Sequence, residues 1–280
     1  APKSDGGPSP RLARSAGVFG LATIMSRILG LVREQVMAYY FGAGDANDAF
    51  RIASRIPNLV RDLFAEGAMS AAFIPTFTRQ LTLHGRERSW KLANSVINAL
   101  VIVTAVIVLL AIVFAKPLVS MYAGNFSGVP GKLELTIFLA RIVTPFLTLV
   151  AIAAVFMGML NSLGHFFVPV LSPAMFNVAG IVMSVTLIPF APALGVQPIT
   201  IVAMATIVGG LLQLAIQWPP LRKEGFRYQP TLDLKDDGLR RVLLLMGPGT
   251  LGMAATQINV LVNSMLATSQ GTGEIGRAHV

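Results

Sequence analysis

Long apolar segments alternate with short polar, glycine-containing or proline-containing connections along most of the chain. From residue 142 to residue 221 the sequence contains no Asp, Glu, Lys or Arg, which leaves room for about three membrane-spanning helices at roughly 20 residues per crossing. The pattern as a whole predicts seven helices, at residues 15–40, 47–81, 90–115, 133–160, 168–190, 200–217 and 236–268. We therefore expect an all-α fold, a polytopic transmembrane helical bundle.

Composition supports this fold class and excludes others. Apolar residues make up 54% of the chain and charged residues only 12%, with a formal net charge of +9. In a soluble protein this charge would suggest a nucleic-acid partner, but here the cations lie between or inside apolar segments, so we expect no nucleic-acid binding. The chain has no cysteine and only three scattered histidines, so we predict neither a metal site nor a cofactor.

Lysine and arginine are distributed unequally among the predicted connections. They cluster before the first helix, between the second and third helices, and between the sixth and seventh. The connections on the opposite side carry none, or only the pair Lys116 and Lys132. Because cytoplasmic loops of membrane proteins carry the excess of cations, we expect the amino terminus to be cytoplasmic.

The organisation of the chain follows from these segments. In order, we predict a disordered cytoplasmic leader at 1–14, a six-helix transmembrane lobe at 15–221, a cytoplasmic loop at 222–235, and a seventh transmembrane helix at 236–268. Residues 274–280 read EIGRAHV, which we interpret as a non-native tail. On that interpretation the natural chain continues beyond about Gly273, and this sequence is an amino-terminal part of it.

Five arginines occupy the first two apolar segments, where a charge is costly. They are Arg27 and Arg33 in the first, and Arg51, Arg55 and Arg61 in the second. A charge at the centre of a bilayer costs at least ~2.5 to 3.5 kcal/mol, so it persists only where it faces a partner, a cavity or a ligand. The guanidinium group is well shaped to bind phosphate oxygens in a bidentate manner. These arginines therefore suggest a cavity that binds an anion.

Helical spacing sorts the polar residues of the first segment into two faces. Ser26 and Arg33 are seven positions apart and share one face, with Gly30 between them leaving room for another group. Arg27 and Glu34 share the other, so Glu34 is a possible counter-ion for Arg27, whereas no carboxylate of the same helix faces Arg33.

The second segment carries a stripe of mixed charge. Arg51, Arg55, Asp62 and Glu66 fall within about 60° of one another on a helix, so we expect either arginine to pair with either acid. Arg61 points in another direction. For Arg27, Arg33 and Arg61 the cations outnumber the acids within reach, which favours a role in binding an anion.

Several motifs along the chain occur together in one known family. They are Ser26–Arg33 (SRILGLVR), Phe41–Gly44 (FGAG), Asp48–Phe50 (DAF), Pro57–Leu59 (PNL), Phe64–Ala68 (FAEGA), Gly209–Leu214 (GGLLQL) and Met246–Pro248 (MGP). With these motifs the chain resembles the MurJ/MviN family of bacterial lipid II flippases. The resemblance implies the multidrug/oligosaccharidyl-lipid/polysaccharide exporter superfamily. It also implies that the chain supplies the first six-helix lobe of a flippase and the first helix of the second lobe.

The resemblance also implies a function and its partners. Such a protein moves an undecaprenyl-diphosphate-linked peptidoglycan precursor, lipid II, from the inner to the outer leaflet by alternating access through a cationic cavity. It would be a transporter and not an enzyme, a multi-pass protein of the bacterial inner (cytoplasmic) membrane in contact with membrane lipids and with other cell-wall synthesis proteins. Carried over position by position, the substrate-binding residues are Ser26, Arg27, Arg33, Asn58 and Arg61; Asp48 and Glu66 act in gating or charge balance; and Gly30, Gly247, Pro248 and Gly249 are hinges. Arg51 departs from the family pattern, since an apolar residue is more usual at that position.

Three other interpretations remain open. A flippase for another polyprenyl-linked glycan would share the fold and the arginines. A cation-coupled exporter of the same superfamily would place acids in its cavity instead of excess arginines. A protein that only binds anionic lipid headgroups without transporting them would tolerate replacement of arginine by lysine, whereas bidentate recognition of a diphosphate would not.

Overall fold

The computed structural model describes the backbone of residues 10–62 and 69–246, and the side chains of residues 20–246 apart from 56, 59–70 and 125. Within these ranges every regular element is an α-helix or a short 3₁₀ turn, and no strand occurs. The expected all-α fold is confirmed. In chain order the helices are α1 (Pro10–Phe41), α2 (Asp45–Asp62), α3 (Met69–Val113), α4 (Ala115–Ala123), α5 (Lys132–Val143), α6 (Phe146–Ser162), α7 (Phe167–Leu187), α8 (Pro198–Lys223) and α9 (237–246).

Four segments of the described chain are long and apolar enough to cross a membrane. They are Ala71–Val113, Lys132–Ser162, Phe167–Phe190 and Pro198–Lys223. Many of their large apolar side chains remain exposed on the outside of the protein, as expected when the surrounding solvent is lipid. The chain is therefore part of a multi-pass membrane protein.

The expected connection between the second and third predicted helices lies inside α3, where two helices meet at a kink. Gly85 has non-helical backbone angles, with φ 77° and ψ −175°, and the chain bends there. Residues 82–88 around the kink are exposed and mostly polar. The sequence therefore located this break, although only Gly85 leaves helical geometry.

Proline also divides the predicted helices in an unexpected way. The single helix expected at 133–160 is interrupted between Val143 and Phe146, because Pro145 has no N–H to donate and a new helix starts after it. The sixth predicted helix, by contrast, does not end at Gln217. It continues through Pro219 and Pro220 as far as Lys223.

The connection between α8 and α9 is an extended segment bound to α3, which we call the strap (residues 226–233). Its backbone exchanges hydrogen bonds with the side chains of Asn94, Ser95 and Asn98 over donor–acceptor distances of 2.8–3.3 Å. Phe226, at its start, is fully buried among aromatic rings. The predicted cytoplasmic loop is therefore held against the helical bundle.

Two apolar cores hold the helices together. One joins α3, α6, the end of α8 and α9 around Phe73, Phe77 and Phe226. The other joins the end of α1 and the first half of α2 to α5 and the start of α8 around Leu139 and Ile199. The helix α1 packs mainly on α7, which in turn packs on α8. Between these contacts, α1, α2, α6, α7 and α8 enclose a series of cavities.

Candidate functional site

Three adjoining cavities follow one side of α1. The Arg27 cavity, of about 600 Å³, is lined by Arg27 and Ser26. The middle cavity, of about 560 Å³, is lined by Ser26, Gly30 and Arg33. The Arg51 cavity, of about 320 Å³, is lined by Arg33, Arg51 and the α2 residues that follow. Ser26 lines both the first and the second cavity, and Arg33 both the second and the third, so the cavities lie one after another along α1. We call this series of cavities the path.

Ser26, Gly30 and Arg33 form the α1 side of the middle cavity, as their helical spacing predicts. The side chain of Asn177 on α7 faces them, and its Nδ2 donates a hydrogen bond of 3.3 Å to the backbone oxygen of Ser26. A Cβ atom at Gly30 would lie 3.6 Å from the same nitrogen, an ordinary contact, so a side chain larger than a methyl group would meet Asn177. Alanine would therefore fit at position 30 without moving α7, whereas a longer side chain would not.

Two residues of α7 hold the side chain of Arg33. The Cζ atom of Arg33 lies 5.1 Å from the ring centroid of Phe176, within the range of a cation–π contact. A Cβ atom at Gly180 would come within 3.1 Å of Cδ and 3.3 Å of Cγ of Arg33. The absence of a side chain at Gly180 makes room for the aliphatic stem of Arg33, which keeps its guanidinium at the boundary between two cavities.

Arg33, Glu34 and Arg51 form an ion cluster between α1 and α2. Nη2 of Arg33 donates to Oε1 of Glu34 at 2.7 Å, and Nη2 of Arg51 donates to Oε2 of the same carboxylate at 3.0 Å. The possible pair between Arg27 and Glu34 does not form, and among the described residues Arg27 makes no ion pair. The expectation that Arg33 has no carboxylate partner in its own helix is wrong, because Arg33 pairs with Glu34. Spacing along one helix could not reveal this arrangement, since the approach of Arg51 from α2 determines where the carboxylate lies.

One face of α2 supplies most of the charge of the Arg51 cavity. Arg51, Ser54, Arg55 and Asn58 all line it. Arg51 contacts a carboxylate of α1. The side chains of Asp62 and Glu66 lie outside the described residues, so the expected pairing of Arg51 or Arg55 with them stays a prediction. Of the described charged side chains that line this cavity, three are arginines and one is a glutamate.

Asp48 lies away from the path, in a closed ion cluster at the start of α2. Nζ of Lys132 donates to Oδ2 of Asp48 at 2.9 Å and lies 2.8 Å from Oδ1 of Asp45. The side chains of Lys132 and Asp48 are each 2% exposed, and the amine also sits 4.2 Å from the ring centroid of Phe126. Lys132, which we expected in a loop as a topology signal, is instead a buried counter-ion to Asp48.

The remaining predicted site residues lie outside the described side chains and stay predictions. They are Arg61, Glu66, Gly247, Pro248 and Gly249. Sequence reasoning also missed the bridging role of Glu34. Arg51 was among the five arginines that suggested an anion-binding cavity, and it lines that part of the path. In the described part of the chain, no group of His, Asp or Glu side chains is arranged to hold a metal ion.

Comparison with known proteins points to one family. The family model for the lipid II flippase MurJ matches residues 37–276. The probable lipid II flippase MurJ of Buchnera aphidicola subsp. Schizaphis graminum is 34% identical over 257 residues, covering 91% of this chain and 49% of the relative. The lipid II flippase MurJ of Burkholderia cenocepacia is 33% identical over 257 residues, with coverage of 90% and 49%. The chain thus spans about half the length of the curated relatives it matches.

Solved structures agree with this assignment. A lipid II flippase MurJ in its inward closed conformation superposes with a TM-score of 0.71 at 26% identity, covering 91% of this chain and 51% of the other. The Vibrio cholerae MATE transporter VcmN in its bent form gives a TM-score of 0.66 at 17% identity, a likeness of fold alone. Because the family model matches most of this chain, residues 37–276, the chain belongs to the lipid II flippase MurJ family.

Proposed function

We propose that the complete protein is a flippase that carries lipid II across the bacterial inner membrane, and that this chain supplies the half of the translocation path nearest α1. The observation that carries the proposal is the path of three cavities from Arg27 to Arg51, lined by more cations than anions among the described residues. Family membership supports the same substrate.

The path offers a way to reduce the cost of moving the charged head of lipid II. A diphosphate in hydrocarbon would lose its hydration without replacement, which is prohibitive for an isolated charge. Arg27 and Arg33 replace part of that hydration with charge-assisted hydrogen bonds inside cavities of the protein. The polyprenyl tail, being apolar, stays in the lipid. Alternating access then opens the path first to the inner leaflet and afterwards to the outer one, with the amino terminus in the cytoplasm.

We assign the following roles to individual residues. Ser26, Arg27, Arg33, Asn58 and Arg61 bind the head group. Asp48 and Glu66 balance charge or gate the path, while Gly30 and the Gly247–Gly249 segment act as hinges. Lipid II and membrane lipids are the partners, together with other proteins of cell-wall synthesis, and the reaction makes or breaks no covalent bond, so the protein is not an enzyme.

Binding of lipid II to the full-length protein, measured by native mass spectrometry, tests the proposal. Arg27→Ala and Arg33→Ala should each weaken binding about tenfold or more, because each removes charge-assisted hydrogen bonds. Arg222→Ala, an exposed cation outside the path, is the matched control and should bind normally. Normal binding and normal complementation of a flippase-depleted strain by both path variants would overturn the proposal. Preference for a different polyprenyl-linked glycan in the same assay would identify the sister flippase instead.

A further inference from the structure

The end of the path formed by α2 has polar atoms that no described group satisfies. Nε of Arg51 and Oγ of Ser54 are both buried and have no hydrogen-bond partner. Both residues line the Arg51 cavity, as Arg33 does, and their spacing of three places them on the same face of α2. Buried donors without a partner are costly, so they indicate a group that the cavity is built to receive.

The charge of this cavity indicates what that group is. Two of the donors on the arginines already share one carboxylate, that of Glu34, at 2.7 and 3.0 Å. Glu34 therefore occupies the position of an anion between Arg33 and Arg51. The free Nε of Arg51 and the hydroxyl of Ser54 remain available beside it. A group with several acceptor oxygens and more than one negative charge would satisfy all of these donors together, as a phosphate does.

We propose that Arg33, Arg51 and Ser54 form a second anion subsite, separate from Arg27, which binds a diphosphate group in competition with the carboxylate of Glu34. The proposal rests on the proposed function, since it assigns a second position to the same head group. Arg27 lines only the first cavity, and Arg51 only the last. The head group would therefore pass from the Arg27 cavity to the Arg51 cavity, with Arg33 contacting it from the middle of the path.

Glu34 provides the sharpest test, because an anion subsite and a purely structural ion pair predict opposite results for it. The probe is inorganic pyrophosphate, titrated calorimetrically into purified full-length protein. Arg51→Gln should weaken its binding about tenfold or more, and Ser54→Ala about threefold, as donors to the anion are removed. Glu34→Gln should tighten binding severalfold, because it removes the competing charge. If the cluster were only structural, Glu34→Gln and Arg51→Gln would break the same pair and would affect binding in the same direction.

Lys91→Gln is the matched control. Lys91 forms an exposed ion pair of 2.9 Å with Glu87, far from the cavity-lining residues, so its loss should leave pyrophosphate binding unchanged. Arg51→Lys keeps the charge but loses the planar set of donors, and it should recover only part of the affinity. This variant also covers the case in which Arg51→Gln fails to fold.

The results distinguish a failure of the subsite from a failure of the proposed function. Normal pyrophosphate binding by Arg51→Gln and Arg51→Lys, with weak binding by Arg27→Gln and Arg33→Gln, would overturn the subsite and leave the flippase intact. No pyrophosphate binding by the wild type would overturn both. A parallel titration uses phosphatidylglycerol, a lipid with a single phosphodiester charge. Lipid II is titrated in the same way for comparison. If phosphatidylglycerol displaces pyrophosphate from the wild type at a concentration equal to or lower than that of lipid II, but does not displace it from Arg51→Gln, the position binds bilayer lipid and the subsite is overturned.

Discussion

Replacing Lys132 by methionine tests whether the charge at the start of α2 is structural. In the wild type, Asp48 is 2% exposed and accepts a hydrogen bond of 2.9 Å from the Lys132 amine. Methionine has a similar volume and fills the same space against Phe126, so no large cavity results. It leaves the Asp48 carboxylate buried without the ammonium. Breaking a buried ion pair by removing one partner costs about 3–5 kcal/mol, and we expect the variant to lose stability within that range.

A double-mutant cycle separates the charge from the packing. Asp48→Asn in the Lys132→Met background removes the buried charge, so it should restore most of the lost stability. Asp48→Asn alone should cost less than Lys132→Met, because Lys132 keeps Asp45 at 2.8 Å. The measurement is the thermal unfolding midpoint of purified full-length protein in detergent, together with its abundance in the membrane.

An exposed ion pair supplies the comparison that makes the result interpretable. Lys91→Met breaks the pair between Lys91 and Glu87, whose side chains are 67% and 86% exposed. Pairs of this kind contribute at most about 1 kcal/mol. If Lys132→Met were no more costly than Lys91→Met, or if Asp48→Asn failed to rescue it, the Lys132 cluster would be hydrated in the membrane and the reasoning from burial would be refuted.

Three further predictions concern the cytoplasmic face as we orient it. Asn98 makes three hydrogen bonds of 2.6–3.0 Å with the strap, so Asn98→Ala should cost about 2–4 kcal/mol and accelerate protease cleavage within residues 226–233. Gly85→Ala should lower the unfolding midpoint by an amount equivalent to about 1–3 kcal/mol, because φ of 77° with ψ of −175° is essentially restricted to glycine. Nothing lies within 4 Å of an added Cβ, so this cost comes from the backbone alone. Glu224 stands one residue beyond α8, and its hydrogen bond of 2.8 Å with His165 holds the pKa of its carboxyl below the usual range. Because the pKa of this carboxyl is lower in the folded protein, its ionised form stabilises the fold at pH values above the ordinary glutamate pKa of about 4.3. That stabilisation is lost as the pH falls through the pKa of the folded state. The difference in Tm between wild type and Glu224→Gln should therefore shrink in acid.

The sequence was sufficient for the fold class because the signal for it is strong at every position. A long, mostly apolar segment without charged residues, such as 142–221, can form few structures other than membrane helices. The ends of helices were harder to predict, since they depend on local backbone chemistry that hydropathy does not measure. Pro145 interrupts a helix whereas Pro219 does not, although both lie in apolar surroundings. Residues 82–88 have the composition of a loop, but the helical backbone is broken there only at Gly85.

Features of the site that depend on the geometry of a single helix were predictable from the sequence. The shared face of Ser26 and Arg33 follows from a spacing of seven residues, and the structure places both in the middle cavity. The partner of Glu34 does not follow from spacing, because it depends on how closely α2 approaches α1. Lys132 is a similar case. Its burial depends on the packing of α5 against α2, and no pattern within α5 distinguishes it from a loop cation.

The two ion clusters of α2 therefore have different uses, and their stoichiometry explains why. At the first turn of α2, two carboxylates surround one amine whose side chain is 2% exposed, so no surplus positive charge remains for an anion. About one turn later, Arg51 shares one carboxylate with Arg33 in the wall of a cavity, and each arginine side chain is 30% exposed. A defect at Lys132 should consequently reduce the amount of folded protein in the membrane. A defect at Arg51 should leave that amount unchanged and reduce binding of the diphosphate.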